Sequence, residues 1–166
     1  MIYDVSINPL PMVALVDLKG SAGDIAPRLR RLGLWGPAPG RAAALGPIQV
    51  LRAAREHWLV RAPIEDEERL LSTLLEDAPT ADTLVVPVSD AYAFFAISGP
   101  HARQVMAIAS PLDTDRVVFP ADGATFTEAF GQKALILRCA AGFEVAFERS
   151  YASMVSDYFS RINGGP

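Results

Sequence analysis

The hydrophobic pattern of the chain changes character near Gly46. Beyond it, residues 48–52 and 57–61 are two short β-type runs, and Ala53-Ala54-Arg55-Glu56 between them reads as a hairpin turn. Pro63 stops the second run. The acidic Glu65-Asp66-Glu67-Glu68 beyond it suits the positive end of a helix dipole, and Leu70, Leu71, Leu74 and Leu75 form an apolar stripe at helical spacing. Two further strand-like segments come next, 83–88 and 92–97, with Pro87 placing the first at an edge or bulge.

Ser98-Gly99-Pro100 changes the period from two to about 3.6. A helix is expected from the proline, carrying Ala102, Val105, Met106 and Ala109 inward, with Ser98 as its cap and Pro111 as its stop. Strands are predicted over 125–130, 133–138 and 143–147, with turns at Gly131-Gln132 and Ala141-Gly142. A last helix starts near Ser150, its buried face being Tyr151, Met154, Val155, Tyr158 and Phe159, and Gly164-Gly165 closes the fold.

Before Gly46 the chain is rich in Pro, Gly and Ala, with one apolar stretch, 12–16, suited to an edge strand. The expectation is an extended N-terminal arm over 1–46 and a single α+β domain over 47–166. Its architecture would be an antiparallel sheet with helices on one face, built from two βαβ-like halves. Each half runs from a short hydrophobic strand into an amphipathic helix.

Charge and composition narrow the function. Of 166 residues 20% are charged and the net charge is -4, which disfavours nucleic acid and a basic membrane-binding patch. The charge is uneven: up to Ala62 eight basic residues stand against four acidic ones, so the arm, with Arg28, Arg30 and Arg31, is a candidate for docking on an acidic partner. Leu34 and Trp35 are its candidate apolar anchors. No apolar run approaches the roughly 18 residues of a membrane span, and the start lacks a basic signal-peptide region, so the expected location is the cytoplasm.

The inventory of reactive groups is thin. A single cysteine, Cys139, excludes an internal disulfide, and with only His57 and His101 a zinc cage is hard to assemble. Both histidines read as hydrogen-bonded structural groups, Cys139 as a buried thiol, and Asp113 and Asp115 as a solvated loop. Residues 33–40 contain glycines but also Pro37 and Pro39, and no strand-then-helix context makes them a phosphate loop. No catalytic, cofactor-binding or metal-binding residue is expected in this chain.

The order of several motifs is informative. Val86-Pro87-Val88-Ser89-Asp90 leads through Phe95-Ala96-Ile97-Ser98-Gly99-Pro100-His101-Ala102-Arg103. Ser110-Pro111-Leu112-Asp113, Phe119-Pro120, Gly131-Gln132 and Gly142-Phe143-Glu144-Val145-Ala146-Phe147-Glu148-Arg149-Ser150-Tyr151 come after them. This half of the chain resembles the gamma subunit of heterotetrameric sarcosine oxidase, in the wider aminomethyltransferase-like folate-domain family. Ser98, Gly99, Pro100, Glu148 and Arg149 are motif residues with an expected structural role.

The resemblance implies a subunit with no cofactor of its own, working beside alpha, beta and delta subunits. In such assemblies a large subunit binds NAD and tetrahydrofolate, a second carries FAD, FMN lies between them, and a small one binds zinc. The complex oxidatively demethylates sarcosine or a related N-methyl amino acid. The alternative within the same fold is a standalone folate-dependent one-carbon or iron-sulfur-maintenance protein. Ile64-Glu65-Asp66-Glu67-Glu68 lacks the glycines of a folate-binding acidic motif, and Arg138-Cys139-Ala140-Ala141-Gly142 is a poor match to a Lys-Gly-Cys-Tyr loop.

Overall fold

A computed structural model describes residues 3–76 and 82–162. In chain order these form β1 (Ser6–Pro9), β2 (Val13–Lys19), α1 (Ala22–Arg31), β3 (Arg41–Leu45), β4 (Ile48–Ala54), β5 (His57–Pro63), α2 (Glu67–Leu75) and β6 (Leu84–Pro87). Then come β7 (Tyr92–Ser98), α3 (Ala102–Ala109), β8 (Ala124–Ala129), β9 (Gln132–Cys139), β10 (Gly142–Glu148) and α4 (Ala152–Ile162). The class is α+β, with two antiparallel sheets rather than the one shared sheet expected. The chain divides into a first unit, Met12–Ser89, and a second made of Met1–Pro11 and Asp90–Pro166.

In the first unit the strand order is β3-β4-β5-β2-β6. Alternate positions of the central strands, Ala14, Val16 and Leu18 from β2 and Trp58, Val60 and Ala62 from β5, enter one core with Ile25 and Leu29 of α1 and Leu70 and Leu74 of α2. The acidic run does open a helix: a 3-10 turn at Ile64–Asp66 leads into α2.

The extended arm expected over 1–46 is corrected by β1, β2, α1 and β3, all of which lie within it. Helix α1 escapes a composition reading because Pro27 sits inside it and cannot donate to the carbonyl four residues back. Other interactions offset that loss. Ser21 accepts the Asp24 amide at 3.2 Å and donates its hydroxyl to the Asp24 carboxylate at 2.6 Å, while Arg28, Arg30 and Arg31 occupy the negative end of the helix. Ile25 and Leu29 then bury the inner face.

In the second unit the order is β1-β7-β10-β9-β8. Its core is aromatic: Phe95, Phe143, Phe147 and Phe159 pack with Ile97, Met106, Ile136 and Val155. Phe95 meets Phe159 edge-on at 5.2 Å, and Phe130 meets Phe159 at 4.8 Å. The β8–β9 turn is Phe130-Gly131, both at positive φ (51° and 74°), one residue earlier than the pattern suggested. Paired positive φ suits the twist of a two-residue hairpin turn, and the ring contacts of Phe130 hold a bulky residue in that region. The glycine pair expected to close the fold lies outside the described residues.

Candidate interaction surface

Most chemistry-bearing side chains are framework. His57 Nε2 lies 2.7 Å from the Asp17 carboxylate, which Lys19 approaches at 3.4 Å. Burial acts against ionisation of Asp17, but the hydrogen bond and charge of His57, with Lys19, outweigh it and hold the carboxyl below its ordinary range. His101 Nδ1 accepts the Asp4 amide at 2.7 Å, tying the entry of β1 to the start of α3. The Ser89 hydroxyl donates to the Glu67 carboxylate and receives the Leu15 amide at 2.8 Å, so part of the acidic run is engaged in holding β2.

Ser98, expected to cap α3, instead ends β7, paired with both Ser6 and Gly142. Gly99 and Pro100 intervene, and the helix begins at Ala102 with His101 in the cap position and no side-chain cap. Gly99 has φ +111°, and a Cβ there would come 2.9 Å from the Asp4 carbonyl oxygen, so glycine is required by both conformation and space. Arg149 donates from Nε to the Asp90 carbonyl at 2.8 Å and from Nη2 to the Tyr92 carbonyl at 2.7 Å, clamping the start of β7 to the residue after β10. Glu148 ends β10 opposite Tyr92. Cys139, expected buried, is half-buried at the end of β9, where the strand gives way to its turn.

The arm residues separate into two groups. Leu34 is 5% exposed and belongs to the core of the first unit, and Arg28 is 2% exposed, so neither is a surface anchor. The reason is local: the chain turns back after α1 through Gly33 (φ 74°), with the Leu34 amide bonded to the Leu29 carbonyl, and this tucks Leu34 under the helix. Trp35 is 73% exposed with the Arg30 guanidinium 5.1 Å from its ring centre, and Arg31 is paired with Glu76 at 3.4 Å.

A surface that pattern reading missed lies on the second unit. Of the residues assigned to one buried stripe, Val155 and Phe159 of α4 are buried, but Tyr151 in the 3-10 turn before the helix and Met154 and Tyr158 within it are exposed, Met154 by 49% and Tyr158 by 52%. At 100° per residue Met154 and Tyr158 sit roughly a quarter turn around the helix from the buried pair. Helix α4 is therefore apolar over two adjoining faces. Ile108 of α3, 72% exposed, extends the second face, and together with Val105, Phe130, Tyr158 and Ile162 it lines a groove of about 490 Å³. Scattered apolar residues are normal on a surface, whereas a continuous stripe beside a groove marks a contact site.

Among the described residues no cluster of three or more His, Cys, Asp or Glu is placed to hold a metal ion. No described helix is long and apolar enough to cross a membrane. The sequence matches no protein-family model and no curated protein sequence. The fold, however, matches solved structures. One is heterotetrameric sarcosine oxidase from Corynebacterium sp. U-96 in complex with pyrrole 2-carboxylate, with TM-score 0.84 and 18% identity, covering 96% of this chain and 84% of that one. Another is glycine cleavage system aminomethyltransferase T from Bartonella henselae, with TM-score 0.68 and 16% identity, covering 96% of this chain and 46% of that one. The chain thus shares its fold with a chain of that sarcosine oxidase and with the matched part of that aminomethyltransferase.

Proposed function

We propose that this chain is a non-catalytic, cytoplasmic gamma subunit of a heterotetrameric sarcosine oxidase-type flavoenzyme, which oxidatively demethylates sarcosine or a related N-methyl amino acid. The observation that carries this reading is the second apolar face of α4, with Met154 and Tyr158, and Tyr151 just before the helix, turned to solvent beside the Ile108 groove. A contiguous apolar face that a helix's own core does not use is the kind of surface another chain covers. The similarity to a chain of a heterotetrameric oxidase over most of both lengths supports the same reading. FAD, FMN, NAD, tetrahydrofolate and zinc belong to the alpha, beta and delta partners in this proposal. Trp35, Arg30 and Arg31 offer a secondary contact on the first unit.

Co-expression with the alpha, beta and delta partners and purification through a tag on this chain tests the proposal. A stoichiometric complex that contains flavin and releases hydrogen peroxide from sarcosine is expected. The double substitution Met154→Asp, Tyr158→Asp should abolish co-purification while leaving the far-ultraviolet circular dichroism of this chain unchanged. Saturable tetrahydrofolate binding by the chain alone, or turnover of a methylated amine by it, would overturn the assignment in favour of a standalone folate-dependent protein.

A further inference from the structure

A second concave feature, independent of the α4 surface and of the subunit reading, gathers several charged residues. It is a pocket of about 310 Å³ in the second unit, bounded by Gly99, Pro100 and the first turn of α3, by Asp115 and Arg116, and by the β9–β10 hairpin from Arg138 to Phe143. Three arginines line it, Arg103 from the helix, Arg116 from the loop and Arg138 from the strand. One carboxylate, Asp115, stands with them, 3.0 Å from Arg103.

The carboxylate is already committed. Asp115 accepts the Val117 amide at 2.9 Å in addition to the Arg103 contact, and the amide bond first, with Arg103 contributing, keeps its carboxyl below the ordinary range. Arg138 is fixed rather than free to swing away. Its Nε donates to the Phe119 carbonyl at 2.7 Å, Nη2 donates to the Thr114 carbonyl, and the guanidinium carbon lies 4.7 Å from the Phe143 ring centre and 5.6 Å from that of Phe119. Those two bonds use two of its five N–H groups and leave the rest as donors. Burial, and then the charges of Arg116 and Arg103, push Arg138 down from the usual guanidinium value. Asp115 offsets part of that repulsion, and the pocket still holds more positive than negative charge.

We infer that this pocket binds the dianionic phosphate group of a small phosphate monoester through Arg103, Arg116 and Arg138. Three cations against one anion leave two positive charges, matching a monoester that carries about -1.5 to -2 near neutrality. The guanidinium groups arrive from three separate elements, an arrangement suited to the divergent oxygens of a tetrahedral group, whereas a planar carboxylate would use one fork. The first turn of α3, which has no side-chain cap, lines the same space and adds the positive end of the helix. The volume lies at the lower end for small-molecule sites, so the organic group attached to the phosphate is small.

Titration of the full chain with inorganic phosphate and with methyl phosphate, monitored by calorimetry and by phosphorus NMR line width, tests this. Single-site saturable binding of both is expected, and sodium chloride at matched ionic strength should not reproduce it. Arg116→Ser, at an exposed position that leaves the Arg138 framework intact, should weaken both by roughly tenfold, the equivalent of one charge-assisted bond, while Arg116→Lys retains most of the affinity. Arg103→Gln provides a second, independent loss. Absence of saturable binding, equal responses to chloride and phosphate, or wild-type affinity in both Arg116→Ser and Arg103→Gln would overturn the site. Binding of inorganic phosphate without methyl phosphate would overturn the monoester assignment.

Discussion

The two units are the same construction executed twice. Read along the first, strands and helices run β2, α1, β3, β4, β5, α2, β6; along the second they run β7, α3, β8, β9, β10, α4, and the place of β6 is taken by β1. The correspondence holds residue by residue. Trp58 pairs with Leu18 and with Arg52; Phe143 pairs with Ile97 and with Arg138. The Arg52 guanidinium lies 4.8 Å from the Trp58 ring centre, and Arg138 lies 4.7 Å from Phe143. Both edge strands end on a proline at the same register, Pro87 opposite Val16 and Pro9 opposite Phe95. A proline can occupy such an edge because no further strand needs its missing amide.

Where the halves differ is more instructive than where they agree. The first unit places the ion-paired Asp17, Lys19 and His57 at positions where the second has Ala96, Ser98 and Gly142. One copy thus closes the corner with a charged pair of strands, while the other keeps that corner small and gathers arginines around it. Function in this fold depends on which residues decorate a shared frame, and among the described residues it is the second unit that carries both the apolar face and the arginine pocket.

The equivalence of the aromatic positions is the sharpest point at which to test the repeat. Trp58→Ala and Phe143→Ala should each cost about 3–5 kcal/mol, measured by urea unfolding of the full chain. A loss below about 1 kcal/mol for either would break the comparison, because that half would then not depend on its arginine-stacked ring. Next come the hinge glycines. Gly99 and Gly20 precede equivalent helices, but an added Cβ would stand 2.9 Å from a backbone oxygen at Gly99 and 3.2 Å at Gly20. Gly99→Ala should cost about 2 kcal/mol and Gly20→Ala about 1, with thermal midpoints ranked accordingly. The reverse ranking would show that the two turns are not alike.

The smallest effect belongs to the ion pair without a counterpart. Asp17→Asn should lower stability by about 0.5–1 kcal/mol at neutral pH. Its folded carboxyl is depressed, so the unfolded chain binds the proton more readily; the contribution is complete above the ordinary aspartate value of 3.8 and is lost as pH falls through the lower folded value. Wild type and variant should therefore converge in acid. A gap that persists in acid would assign the effect to packing instead.

Much of this repeat was legible in the amino-acid sequence, and the unreadable part has physical causes. The hairpins β4–β5 and β9–β10 announce themselves by alternating apolar residues around short turns, and Leu70 with Leu74 marks α2. Helix α1 was hidden by Pro27, although Ser21 with Asp24 three residues later was a visible start signal. Strand β3, Arg-Ala-Ala-Ala-Leu, has too little apolar bulk to show a period. On α4 a run of Tyr, Met, Val, Tyr and Phe reads as one stripe, because apolarity does not say whether a side chain meets its own core or another surface. Pairings that join distant residues, such as Ser6 with Ser98 and Arg138 with the Thr114 and Phe119 carbonyls, leave no local trace.

The exchange of β1 for a trailing strand has a consequence for biogenesis. All five strands of the Met12–Ser89 sheet lie within one continuous stretch, so that sheet can close while the ribosome is still translating the second unit. Ser6 to Pro9 emerge earlier, yet their neighbour β7 is not made until residue 98 has appeared. Strand β1 is thus kept waiting with its backbone edge unpaired until the second unit is made.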